Sequence, residues 1–141
     1  MPASKILVIM KLRVVRNKII PFGGFKALLL LKWLFVKINA IITDTLLRHE
    51  SIHMKQQIEL TIVGALLALV LFLMGCGWWS LLALPLFFWW YVLEYVIRIP
   101  LCEWDTDKAY KSIIFEQEAY GHQDDVYYLE QRRWFAWIKY Y

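Results

Sequence analysis

The residues best suited to chemistry form the run His49-Glu50-Ser51-Ile52-His53, which has the pattern H-E-x-x-H. On a helix, two histidines four positions apart project from one face, at a separation that suits two imidazole ligands of one zinc ion. The glutamate between them lies beside that face, where it can take a proton from water. The motif therefore predicts a zinc site with His49 and His53 as ligands and Glu50 as general base. A buried, hydrogen-bonded histidine pair is the alternative.

A third protein ligand is needed, because a catalytic zinc usually has three and leaves one position for water. The best source is the segment FEQEAY, residues 115–120. Its two glutamates, Glu116 and Glu118, are two positions apart and point to different sides of a helix, so only one of them can readily coordinate. The spacing alone leaves open which one does.

The elements around the motif indicate a membrane protein. The run Thr43-Asp44-Thr45 supplies side chains that cap the start of a helix. No charged residue occurs from 60 to 93, and Gly75-Cys76-Gly77 interrupts this apolar stretch. We therefore expect the motif helix, 44–75, to run into the first of two membrane helices, roughly 56–75, with the second at 78–98. Each is near the minimum of about 17–20 residues for a span, which leaves a re-entrant hairpin as the alternative.

Composition and charge support this interpretation. The chain is 60% hydrophobic and 17% aromatic over 141 residues, more apolar surface than a small soluble domain can bury. Residues 1–55 hold ten Lys and Arg against two acids, a bias typical of the cytoplasmic side. We expect one multi-pass domain in a bacterial inner membrane, with its site at the cytoplasmic boundary, and no nucleic-acid partner. Cys76 and Cys102 have no metal-type spacing and are interpreted as structural.

Two polar residues near the membrane boundary each have two interpretations. Glu94 lies four residues before Arg98, a spacing that predicts an ion pair at the membrane edge. The alternative makes Glu94 a partner or ligand of the metal. Gln56 lies within one turn of His53 and can orient a ligand, although a polar residue at a membrane entry needs no such role.

The remaining segments complete a mainly α fold with a small β region. Residues 5–20 and 25–42 are basic and apolar and predict a β-hairpin within 1–40, with an interfacial helix at 25–42 as the alternative. Residues 105–120 begin with a capping Asp or Thr and predict the glutamate-bearing helix. The aromatic and basic tail, 121–141, suits a helix resting on the membrane or packing against the protein.

The two motifs together resemble those of the gluzincin metallopeptidases. In the membrane-embedded branches, which include the CAAX prenyl protease and heat-shock membrane protease family and the antibiotic-sensor proteases, the later helix reads E-x-x-A-D and its first Glu binds zinc. Here Glu116-Gln117-Glu118-Ala119 matches E-x-x-A, and Tyr120 stands where Asp is expected. The resemblance selects Glu116 as the ligand and leaves Asp124, Asp125 or Glu118 to support a histidine. The chain is also similar to small bacterial membrane proteins that combine HExIH with FExEAY.

The resemblance implies a minimal zincin-like fold and a zinc metalloendopeptidase acting on a peptide or a membrane protein. Glu50 would pass the proton of water to the leaving amine, and the developing oxyanion needs a donor, for which Tyr120, His122 and Tyr110 are candidates. The N-terminal hairpin would supply the sheet edge along which a gluzincin substrate lies. A zinc-binding membrane protein that acts only in structure or interaction is the alternative.

Overall fold

The structure is a computed structural model that describes residues 12–21 and 27–141. Three short strands precede a series of helices, so the described chain is mainly helical with a small N-terminal sheet. The strands are β1 (Arg13–Asn17), β2 (Ala27–Leu30) and β3 (Trp33–Lys37). The α-helices are α1 (Asp44–Leu71), α2 (Leu86–Leu101), α3 (Thr106–Ser112), α4 (Ile114–His122) and α5 (Tyr128–Gln131).

The sheet has the strand order β1-β3-β2, which differs from the predicted hairpin. Strands β2 and β3 are antiparallel neighbours, joined at Leu31, whose φ is 49°. Strand β1 pairs with β3 in parallel. The antiparallel hairpin therefore lies within residues 27–37. A strand from 5–20 does pair with one from 25–42, as predicted, but the two are parallel and do not form a hairpin. The alternative of an interfacial helix at 25–42 was wrong. Residues 5–11 of the predicted first strand lie outside the described residues.

Burial along β3 explains its central place in the sheet. Leu34 and Val36 are fully buried, whereas Trp33 and Lys37 are exposed. This alternation is the period of a strand with one covered face. The basic and apolar residues that suggested a single long strand in fact divide between two strands and a two-residue turn.

Helix α1 begins where the sequence predicts and carries the H-E-x-x-H motif. The Oγ1 atom of Thr43 accepts a hydrogen bond from the backbone N–H of Leu46 at 3.1 Å, which confirms the predicted cap. The helix continues without interruption to Leu71. At 1.5 Å per residue its 28 residues extend about 42 Å.

The apolar region contains one candidate span among the described residues. The helical stretch Asp44–Ala83 is long and apolar enough to cross a membrane. It includes an irregular turn at Phe72–Cys76, where Gly75 has a φ of 94°, and a 3-10 helix at Gly77–Ala83. The predicted second membrane helix begins only at Leu86, in α2.

Helix α2 is too short to be the second half of a membrane hairpin. Its 16 residues extend about 24 Å, less than the roughly 30 Å of a bilayer's hydrocarbon core. The two-helix transmembrane hairpin and its multi-pass topology are therefore not supported. Pro85 at the N-terminal end of α2 explains part of the shortening, because proline cannot continue the preceding helical hydrogen bonds.

The predicted helix at 105–120 is two helices, α3 and α4. Asp105 accepts a hydrogen bond from the N–H of Lys108 at 3.0 Å, which confirms the predicted N-cap. The break falls at Ile113, whose extended ψ of 134° ends α3. Helix α4 starts at once with Ile114 and ends at His122, two residues beyond the predicted end of the helix at residue 120.

The chain divides into two compact units, each with its own buried cluster. The described residues within Met1–Lys55 and Glu118–Arg133 form the first unit, whose helices bury Ile52, Ala119 and Leu129 against one another. The second unit consists of Gln56–Gln117 and Trp134–Tyr141. Its apolar cluster is made of Leu60, Phe87, Ile113, Ile114, Phe115 and Trp137.

The C-terminal tail packs against protein through Trp137, which is buried. Its indole N–H donates to Oε2 of Glu59 at 3.0 Å, and the N–H of Phe135 donates to Oε1 of the same carboxylate at 3.0 Å. The tail forms α5 and a 3-10 helix at Ala136–Tyr140 in place of one surface helix. Neither cysteine forms a disulfide; Cys76 is exposed and Cys102 is buried.

Candidate metal centre

His49 and His53 of α1 and Glu116 of α4 form a buried group that can hold a metal ion. Each residue offers one ligand atom, and these atoms all lie within 4.8 Å of one another. The exposed fractions of the three residues are 6%, 6% and 1%. The sequence motif and the later carboxylate are thus grouped as the predicted zinc site requires.

The donor set is one that can bind a metal ion. Two imidazole nitrogens and one carboxylate oxygen are a ligand set that catalytic zinc sites use, with one position left for water. The Nε2 atoms of His49 and His53 are 3.1 Å apart, close to the roughly 3.4 Å that separates two nitrogens on a tetrahedral zinc. The same contact is also a hydrogen bond between the two buried rings, as the alternative interpretation predicts.

The Nδ1 atom of His49 contacts the side chain of Gln123, a residue that was not predicted from the sequence. The distance from Nδ1 of His49 to Oε1 of Gln123 is 3.1 Å. Gln123 follows the end of α4 and lies seven residues after Glu116, close to the same helical face. That spacing from Glu116 was the available signal in the sequence.

Glu116 is positioned by contacts to its own side chain and to the backbone beside it. The hydroxyl of Tyr91 on α2 donates to Oε1 of Glu116 at 2.7 Å. Burial, followed by the negative charge of Glu116, raises the pKa of Tyr91 well above its ordinary value, so the phenol keeps its proton and remains a donor. Gln56 donates from Nε2 to the carbonyl of Phe115 at 3.1 Å, and therefore supports the carboxylate helix.

Glu94 forms the predicted ion pair and also supports the start of α4. Its Oε1 lies 2.6 Å from Nη2 of Arg98, one helical turn away. The same oxygen accepts the N–H of Ile114, the first residue of α4, at 3.1 Å. An acidic side chain at a helix start offsets the positive end of the helix dipole. In the described structure Glu94 is not in the three-residue metal group.

Glu118 is committed to a buried ion pair in the first unit. Its Oε1 lies 2.6 Å from Nε of Arg132, and the two side chains are 0% and 2% exposed. The hydroxyl of Tyr128 donates to the same oxygen at 2.8 Å. Glu118 therefore stabilises the packing of α4 and α5, and Glu116 is the glutamate in the metal group.

The three candidate oxyanion donors have different surroundings. The ring of Tyr120 packs edge-on against His49, with 4.7 Å between ring centroids. His122 instead stacks on Tyr128 at 3.7 Å, and Tyr110 contacts the ring of Tyr91 at 6.4 Å. Tyr120 is thus in direct contact with a residue of the metal group.

The remaining predicted site residues also have definite positions. Glu50 is 7% exposed and lies on α1 next to His49. Asp124 and Asp125, which were candidates to support a histidine, are exposed, and Asp125 accepts the backbone N–H of Tyr127 at 2.9 Å. The supporting role predicted for an acid is therefore filled at His49 by an amide.

Comparisons with protein-family models, with curated proteins and with solved structures each gave no match for the chain. The gluzincin resemblance therefore rests on the two motifs and on the side-chain group that they form. No family match supports it.

Proposed function

We propose that the protein is a membrane-anchored zinc metallopeptidase that hydrolyses peptide bonds. The observation that carries the proposal is the buried group of His49, His53 and Glu116, whose ligand atoms lie within 4.8 Å of one another. A buried set of two imidazoles and a carboxylate, with a glutamate inside the H-E-x-x-H motif, suits hydrolysis better than structural zinc binding, which usually has four protein ligands.

The three residues of the group would hold the ion. Zinc bound there lowers the pKa of a water molecule and polarises the scissile carbonyl. Glu50 accepts the proton that the water loses as its oxygen bonds to the carbonyl carbon. Glu50 then gives that proton to the amine nitrogen as the carbon–nitrogen bond breaks. The side chain thus returns to its starting state after each turnover.

Tyr120 is the donor that we assign to the carbonyl oxygen as negative charge develops on it. Its contact with His49 is the observation that favours it over His122 and Tyr110. A hydroxyl donor beside the developing charge stabilises the transition state more than the substrate. Tyr120 is also 40% exposed, so a substrate can reach it.

The membrane anchor is the apolar part of the stretch Asp44–Ala83. The residues after Thr61 on α1 are apolar and mostly exposed, as expected of a helix surrounded by lipid. The basic residues of the first 55 positions favour the cytoplasmic side of a bacterial inner membrane for the N-terminal unit. The substrate class that follows is a peptide segment close to the membrane.

The decisive experiment replaces Glu50 by Gln in detergent-purified, zinc-loaded protein, with β-casein as an unfolded probe substrate. We expect the variant to keep its zinc and to cleave on the order of 10² to 10⁴ times more slowly, because it loses the group that moves the proton. Glu130→Gln, an exposed glutamate of α5, is the matched control and should cleave like the parent.

Unchanged cleavage by Glu50→Gln would contradict the proposed mechanism. Zinc binding by both proteins with cleavage by neither would instead support the non-catalytic zinc-binding protein, because such a protein needs the ligands but no general base.

A further inference from the structure

We infer that Gln123 is a positioning residue that holds the proton of the neutral His49 ring on Nδ1. Nε2 of His49 is thereby left as the nitrogen that can bind the metal. The inference rests on the metal site proposed above and assigns a role to a residue outside it. Gln123 contacts Nδ1 of His49 through Oε1 at 3.1 Å, and the opposite nitrogen, Nε2, lies 3.1 Å from Nε2 of His53.

The direction of this hydrogen bond decides which tautomer His49 adopts. A carbonyl oxygen only accepts, so Oε1 of Gln123 requires the proton on Nδ1 of His49. A neutral imidazole with its proton on Nδ1 has a lone pair on Nε2. The contact with Gln123 therefore leaves Nε2 of His49 as the atom able to bind a cation, on the side where His53 lies.

Gln123 is itself held by the residue that precedes His49. The Nε atom of Arg48 donates to the backbone carbonyl of Gln123 at 2.7 Å, and the Nη2 atom of Arg48 donates to Thr45 at 3.3 Å. Two consecutive residues of α1 thus contact Gln123. Arg48 binds the backbone carbonyl of Gln123, and His49 binds its side-chain oxygen. This double contact makes the glutamine side chain a fixed acceptor.

The acceptor is a neutral amide, which has a measurable consequence. Partners of ligating histidines fix the ring and strengthen it as a ligand, and their loss typically lowers metal affinity about 10-fold to 100-fold. A carboxylate in the same position makes the imidazole a stronger ligand than an amide does. Gln123→Glu should therefore bind zinc more tightly than the parent, and Gln123→Ala more weakly.

The experiment measures both the tautomer and the zinc affinity. Nitrogen-15 NMR of zinc-free protein in detergent should show the His49 proton on Nδ1 in the parent and in Gln123→Glu. In Gln123→Ala that preference should be lost. Competition with a chelator should show zinc affinity reduced about 10-fold to 100-fold in Gln123→Ala and raised above the parent in Gln123→Glu.

Gln131→Ala is the matched control, because Gln131 is an exposed glutamine of α5, and it should match the parent in both measurements. A Gln123→Ala variant with the parent's tautomer and zinc affinity would overturn the inference and leave the metallopeptidase proposal standing. The inference would also be overturned if Gln123→Glu lowered the zinc affinity as much as Gln123→Ala does. A parent that binds no zinc would overturn the metal site and this role together.

Discussion

Helix α1 has two halves that differ in what they bury. From His49 to Leu60 the buried side chains include seven that are polar or charged, and this half carries the H-E-x-x-H motif. From Thr61 to Leu71 the side chains are almost all apolar, yet most are exposed, Leu66 by 62% and Leu69 by 55%. Within the second half, burial is confined to the small residues Gly64 and Ala68.

This reversal shows that the two halves need different surroundings. Polar groups are buried at a cost unless they have partners, and Gln56 and Glu59 in the first half have them. Exposed apolar side chains in a continuous stretch are typical of a surface that contacts lipid or a partner. One helix thus joins a polar interior that can hold a metal to an apolar exterior that can anchor it.

The largest effect is expected from Glu59→Ala in the polar half. The change leaves two donors, the N–H of Phe135 and the indole N–H of Trp137, without their acceptor. Hydrogen bonds to a charged group contribute about 1.5–3 kcal/mol each, so we expect a loss of about 3–6 kcal/mol in the free energy of unfolding. Denaturant titration in detergent measures it. Glu103 is an exposed glutamate, and Glu103→Ala is the control. If the two variants lost the same free energy of unfolding, the hydrogen bonds of the buried Glu59 would not contribute to stability as proposed.

A charge in the apolar half should affect membrane insertion. Near the bilayer centre lysine is unfavourable by about 2.5–3.5 kcal/mol and leucine favourable by about 0.3–0.6 kcal/mol, so we expect Leu66→Lys to cost about 3–4 kcal/mol of insertion free energy. The amount of protein that remains in alkali-washed membranes should therefore fall. Leu66→Ile should remain there like the parent. A surface lysine facing water changes stability by no more than about 0.5 kcal/mol, so an unaffected Leu66→Lys protein would contradict the lipid-facing assignment.

A smaller effect is expected where the apolar half packs against the chain that follows it. A Cβ atom added at Gly64 would lie 2.3 Å from the carbonyl oxygen of Ala83, so Gly64→Leu should destabilise the protein by about 1–3 kcal/mol through overpacking. Its neighbour Ala65 is exposed, and Ala65→Leu should leave the thermal unfolding midpoint nearly unchanged. Equal midpoints for the two variants would show that the close approach at Gly64 is absent.

Features encoded by local spacing could be predicted from the sequence. The cap at Thr43, the cap at Asp105 and the continuous helix after residue 44 depend on side chains within one or two turns. The pairing of His49 with His53 follows from helical periodicity. Choosing Glu116 over Glu118 required the family resemblance, because both glutamates fit the spacing.

Features that depend on distant contacts could not be predicted. Strand order in the sheet is set by which segment becomes central, and the turn at Leu31 has none of the Gly or Asn that mark a short hairpin. The start of α4 at Ile114, directly after the break, is supported by Glu94, twenty residues earlier in the chain. The same reason hid Gln123, whose partner His49 is 74 residues away.

The metal content of detergent-purified protein tests the central claim most directly. We predict about one zinc ion per chain in the parent and loss of that zinc in His53→Ala, because two ligands of the group bind far more weakly than three. Stoichiometric zinc that survives in His53→Ala would contradict the account, as would a parent that remains metal-free after incubation with zinc.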